Sequence, residues 1–125
     1  MRISATLASF FQEDIVAYNL ILAERVSQIL AGVPGIVEKK MFGGIGYMVS
    51  GNIACGVNKD DLIVRVGPEK YQEALDQPHT RVFDMTGRPM SGWITVAPPG
   101  YADDRDLKGW VKMGLDFAST LPEKP

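Results

Sequence analysis

Cys55 and His79 are the only cysteine and the only histidine among 125 residues, so they alone could pair a thiolate nucleophile with an imidazole base. Cys55 stands between Ala54 and Gly56 in an apolar run, with no adjoining cation to lower its pKa. It reads as a small buried hydrophobe. His79 follows Pro78 in a loop and reads as a solvated turn residue. The two complete no metal site by themselves, and neither a His-Glu-x-x-His spacing nor a Gly-x-Ser-x-Gly elbow occurs. The expectation is therefore no catalytic residue, no metal and no cofactor.

Two charged groups remain. Asp103-Asp104-Arg105-Asp106 could be read as acid/base or metal-binding carboxylates, but they follow a proline-rich loop and open a helical pattern. Capping and dipole matching explain them. Lys39, Lys40, Arg65, Arg81 and Arg88 are associated with strand-like runs and their turns. If Lys40, Arg65 and Arg88 converged, they would form a small anion site, with Tyr47 or Trp93 as a wall. Scattered solvated cations are the alternative.

The elements that must position these residues follow from periodicity. Ile15, Tyr18, Leu22, Val26 and Ile29 recur at steps of three or four and predict a helix ended by Gly32 and Pro34. The period then becomes two. Val37 to Phe42, Ile45 to Val49, Ile53 to Val57 and Asp61 to Val66 read as strands joined by short turns, hence an antiparallel meander. In Lys40-Met41-Phe42-Gly43-Gly44-Ile45-Gly46 the glycines lie between strands and not at a helix start. They point to a kink or bulge, not to phosphate binding. A short helix begins at Gly67-Pro68-Glu69, with Tyr71 and Leu75 on one face. Arg81 to Met85 and Gly92 to Ala97 are two more strands, and a last helix carries Leu107, Trp110, Val111, Leu115 and Ala118. The expected class is α+β: about six antiparallel strands, three helices on one face, order α-β-β-β-β-α-β-β-α.

Length and charge bound the rest. A chain of 125 residues with 46% hydrophobic and 22% charged residues builds one globular domain without disulfides. A net charge of −2 gives no electrostatic basis for nucleic-acid binding. No apolar run approaches a membrane span. The N-terminus, with Arg2 before Ile3 to Phe11, has only a faint signal-peptide character and reads as an extension over residues 1–11. An intracellular location is expected.

A sheet with helices on one face leaves the other partly free. Met41, Phe42, Tyr47, Met48, Met85, Met90 and Trp93 exceed what one buried row per strand can hide. They predict an adaptable contact surface for a protein partner or a homodimer. The competing reading places them in irregular gaps of the core.

Several of these strings together resemble a known family. Glu38-Lys39-Lys40-Met41-Phe42-Gly43-Gly44, Gly51-Asn52, Asp61 to Pro68, Thr86-Gly87-Arg88-Pro89-Met90, Gly92-Trp93 and the Trp110-Val111 helix look like the TfoX N-terminal-domain family, the first domain of the TfoX/Sxy regulators of bacterial competence. The resemblance covers about residues 12–122, leaving 123–125 as a polar tail. It implies a compact α+β domain in the bacterial cytoplasm that regulates by binding and not by catalysis. No catalytic residue is carried over. The chain is expected to be a stand-alone N-terminal domain, without the second, helical domain of the full-length regulators.

Overall fold

Two turns with left-handed backbone set the first half of the sheet. Phe42 (φ 52°) with Gly43 (φ 77°), and Ser50 (φ 50°) with Gly51 (φ 82°), make the two-residue connections whose twist matches antiparallel strands. They join β1 (Ile36–Met41), β2 (Gly44–Val49) and β3 (Asn52–Asn58), and a turn at Lys59 leads to β4 (Asp61–Arg65). The computed structural model describes residues 17–84 and 87–124. After β4, the helix α2 (Tyr71–Leu75) carries the chain to β5 (Thr80–Asp84) at the far edge. Then β6 (Pro89–Val96) returns between β4 and β5. The result is one six-stranded antiparallel sheet, ordered β1-β2-β3-β4-β6-β5.

Helix α1 (Leu20–Leu30) begins where the Asn19 side chain accepts the Leu22 N–H at 2.9 Å. The short helix α3 (Pro98–Tyr101) precedes α4 (Asp104–Ser119), which starts at Asp103, whose carboxylate accepts the Arg105 N–H at 2.8 Å. Asp103-Asp104-Arg105-Asp106 is thus a helix start, with Asp104 also paired to Arg25 at 2.8 Å.

All the longer helices bury their apolar stripes on the same sheet face. Leu22, Val26 and Leu30 of α1 and Leu107 and Val111 of α4 join Tyr47, Cys55, Val57, Leu62, Val64, Ile94 and Val96 in one core, and Ala74 of α2 closes it. Gly114 of α4 lies on β3 so closely that a Cβ there would run into the Ala54 carbonyl and stand 3.3 Å from Val64 Cγ1. A β-bulge belongs to this contact. Tyr47 pairs with Cys55 but Met48 pairs with Ile53, so Ala54 is the extra residue. Ala54 and Cys55 are both fully buried on the helix side.

The α+β class and the antiparallel six-stranded sheet agree with the sequence reading, while the helix details differ. Four helices are described where three were expected, because Pro98-Pro99 opens its own turn of helix before Asp103 starts the next. The first helix among the described residues begins at Leu20. Tyr18 continues the helical spacing, yet it forms a parallel bridge with Lys59, and the cap at Asn19 ends the helix there. Ile15, the 1–11 extension, Met85 and Pro125 lie outside the described residues. The strand that was read from Gly92 begins at Pro89, paired with Asp84 across a bulge. The tail is docked, since Lys124 N–H donates to Ser50 O at 2.8 Å and the Asn52 amide donates to Pro122 O at 2.9 Å. No helix among the described residues is long and apolar enough to cross a membrane.

Two glycines of α4 should answer alanine with opposite signs. Gly114→Ala forces α4 off β3 and lowers stability by about 1–3 kcal/mol, the usual cost of overpacking. Gly109 has no atom within 4 Å of its missing Cβ. Gly109→Ala raises stability by about 0.5–1 kcal/mol through helix propensity alone. Urea unfolding of the two variants checks the pair.

Candidate functional site

The register assigns the other sheet face residue by residue. Lys39, Gly46, Gly56, Ile63, Thr95 and Arg81 are successive cross-strand partners in one row that crosses the whole sheet. Alternation puts this row opposite the core row of Val57, Leu62 and Val96. On the same side Val37 pairs with Met48 and Met48 with Ile53, and Arg65 pairs with Trp93. No helix among the described residues packs on this face.

A groove of about 280 Å³ runs over its centre. Gly46 and Gly56 form the floor, and Met41, Phe42, Ile53, Ile63, Phe83, Met90 and Trp93 supply the apolar walls. Close approach accounts for the glycines, of backbone at Gly56 and of a side chain at Gly46. A Cβ on Gly56 would stand 2.8 Å from the Ile45 carbonyl oxygen, and one on Gly46 would press on Met41 at 3.2 Å. At the far wall, the rings of Phe83 and Trp93 lie 6.1 Å apart and tilted by 35°. Behind Trp93, the Arg65 guanidinium stacks at 5.1 Å, and the Phe117 ring holds the same guanidinium at 5.5 Å.

Phe42 is the unusual residue at the near wall. It is 74% exposed and carries a bulky side chain at φ 52°, a conformation that costs about 1–2 kcal/mol outside glycine, Asn and Asp. Among the described residues nothing in the packing requires that ring, and strain held at a surface site is a pointer to function.

The residues singled out from the sequence therefore divide. Met41, Phe42, Met90 and Trp93 meet around one groove. Met48 lies farther along the same face, half-buried beside Val37 and Ile53. Tyr47 does not belong there. It is wholly buried beneath α1, and its hydroxyl donates to the Ala23 carbonyl at 2.8 Å. Its strand position alternates onto the helix face, which makes it core. Met85 lies outside the described residues. Ile53, Ile63 and Phe83 were not singled out, although Ile63 was already placed beside Arg65, away from the Leu62-Val64 row.

The basic residues are dispersed. Lys40 pairs with Ile45, in the row of Val57 and Leu62, whereas Arg65 pairs with Trp93 on the opposite face. Arg88 is exposed just before β6. Arg81 pairs with Asp61 at 2.7 Å.

Chemistry based on the lone thiol is disfavoured by its surroundings. Burial pushes Cys55 up to about 12. His79 is an exposed turn residue at φ 66°. Among the described residues no three His, Cys, Asp or Glu side chains cluster as a metal site requires.

Residues 28–118 match the family model described as TfoX N-terminal domain. That span includes the groove, the bulge and nearly all of α4. No curated protein matches the chain closely enough to count as a relative.

Two outcomes follow from the site's geometry. Phe42→Asn creates the Asn-Gly pair that this turn prefers, and should raise stability by about 1 kcal/mol in urea unfolding. The second concerns alkaline pH. Tyr47, like Cys55, is pushed up to about 12, chiefly by burial, with a smaller opposing effect from the Ser27 hydroxyl. In the unfolded chain these groups ionise from their ordinary values of 9.0 and 10.0, while the folded chain keeps them neutral. Stability is therefore full below pH 9 and declines as pH rises toward about 12. Tyr47→Phe should flatten part of that decline.

Proposed function

Because the chain belongs to the TfoX N-terminal domain family, we propose that it is a non-enzymatic regulatory module that docks an apolar segment of a protein partner on the open sheet face. The observation that carries this reading is the groove between Met41-Phe42 and Phe83-Trp93, floored by glycine backbone. Its lining suits apolar side chains of a peptide. Small-molecule sites add a few convergent polar groups to fix orientation, and here Asn58 supplies the one amide side chain. Methionines and aromatics on a free face are adaptable contact groups. The family resemblance supports a regulatory role in the bacterial cytoplasm. Direct DNA binding is not part of the proposal, given the net charge of −2.

A photoreactive amino acid placed at position 42 tests the reading in cells. It should give a discrete intermolecular adduct with one protein species, and the same group at position 108, on the solvent side of α4, should give none. Equal adducts from both positions, or none from position 42, contradict the proposal. An adduct between two copies of this chain would make the partner a second subunit and overturn the heterologous form of the reading. Phe42→Asn should weaken partner binding by at least about tenfold while the fold becomes more stable, the signature of a ring kept for contact.

A further inference from the structure

We infer that a cleft on the helix side of the molecule binds a free α-amino acid with an apolar or aromatic side chain. It lies away from the groove, so it stands or falls separately from the docking reading. The cleft, about 390 Å³, opens where the first half of α4 faces α3 and the turn from α2 into β5. That volume is within the about 300–1,000 Å³ of small-molecule sites. Unlike the groove, it joins several hydrogen-bonding side chains to an apolar wall. Helical spacing arranges the α4 side. Arg105, Gly109 and Met113 follow one another at steps of four, and Asp106 and Trp110 form the neighbouring line. Arg105 and Asp106 thus bring opposite charges to one end of the cleft. Among the described residues neither side chain has an ion-pair partner.

The chemistry of these groups selects the ligand. A carboxylate and an ammonium on one α-carbon match two opposite charges side by side, and the planar guanidinium suits the carboxylate. A phosphate would meet Asp106 as a like charge, and an amine alone would leave Arg105 unmatched. Trp110 supplies the wall for the ligand's side chain. Its indole N–H already donates to the Gly100 carbonyl at 3.2 Å, so the ring offers only its apolar face. Met113 extends that wall with an adaptable thioether. Two features of the cleft are unfavourable for folding. Gly109 is exposed in the interior of α4, where glycine weakens a helix, and a Cβ there would meet no atom within 4 Å. Packing among the described residues does not call for this glycine, whereas the cleft does, because a Cβ would project into its open space. From the α2–β5 turn His79 borders the same cleft in left-handed backbone at φ 66°, its carbonyl accepting the Ala97 N–H at 2.8 Å.

The two tryptophans make the test specific, because Trp110 lines this cleft and Trp93 lines the groove. Their indole N–H resonances are followed by NMR on the full chain during titration with L-phenylalanine, L-leucine, hydrocinnamate and phenethylamine. L-Phenylalanine and L-leucine should shift Trp110 saturably and leave Trp93 in place. Hydrocinnamate and phenethylamine each lack one of the two charges and should bind at least about tenfold more weakly than L-phenylalanine. Asp106→Asn should weaken L-phenylalanine by a similar factor and should not weaken hydrocinnamate, which has no ammonium to lose. Gly109→Ala should abolish the Trp110 shift while the fold becomes more stable, which separates the loss from misfolding. A Trp110 signal that neither amino acid moves, or a shift at Trp93 instead, overturns the site. Equal affinity for L-phenylalanine and hydrocinnamate, or undiminished binding by Gly109→Ala, overturns it as well.

Discussion

The contact of α4 with β3 at Gly114 and Ala54 is the constraint on which the molecule depends. A helix can lie that close to a strand only where it carries no side chain and the strand carries a small one. The Ala54 bulge meets the requirement by turning two consecutive residues, Ala54 and Cys55, toward the helix. With α4 seated there, Leu107, Val111 and Ala118 fall onto the middle of the sheet, and α1 fills the space beside them with Leu22, Val26 and Leu30. One face of the sheet then holds the core. The same bulge fixes the opposite face, since it leaves both Ile53 and Gly56 pointing away from the helices.

That opposite face differs from an ordinary solvated one. A sheet with one face in water usually alternates polar residues outward. Here the outward central positions are Gly46, Gly56 and Ile63, and the polar residues of the row, Lys39, Thr95 and Arg81, stand toward its edges. The glycines lower the floor while Met41, Phe42, Phe83 and Trp93 raise the walls, so a flat sheet acquires a trench. Arg65, clamped by two rings, props Trp93 from behind. Phe42 is held in a strained turn where Asn would be easier. That strain is costly for folding and consistent with contact.

Much of this was legible in the sequence, for identifiable reasons. Short glycine- and asparagine-containing turns leave antiparallel pairing as the only outcome, so the meander and its open face followed from spacing. The alternation in Leu62-Ile63-Val64-Arg65-Val66 correctly separated the two faces of β4. Tyr47 was misplaced because an aromatic next to three glycines gives no sign of its face until the register with Cys55 is known. Tyr18 fitted the helical stripe, but whether Asn19 acts as a cap depends on a turn at Lys59 more than thirty residues away. The groove itself was hidden, because its walls come from β1, β5 and β6, which only the insertion of β6 between β4 and β5 brings onto one surface.

The central claim is that one sheet face builds the fold and the other is kept for contact, and a buried charge placed on each face in turn measures it most directly. Val64 is fully buried on the helix side, while Ile53 faces the groove. In urea unfolding, Val64→Asp should cost several kcal/mol, on the order of 4 or more, and abolish cooperative folding, because an uncompensated charge enters the core. Ile53→Asp should cost about 1 kcal/mol or less and leave a sharp transition. Equal losses from the two substitutions would mean that the groove face is as much a part of the core as the helix face, and would contradict the account.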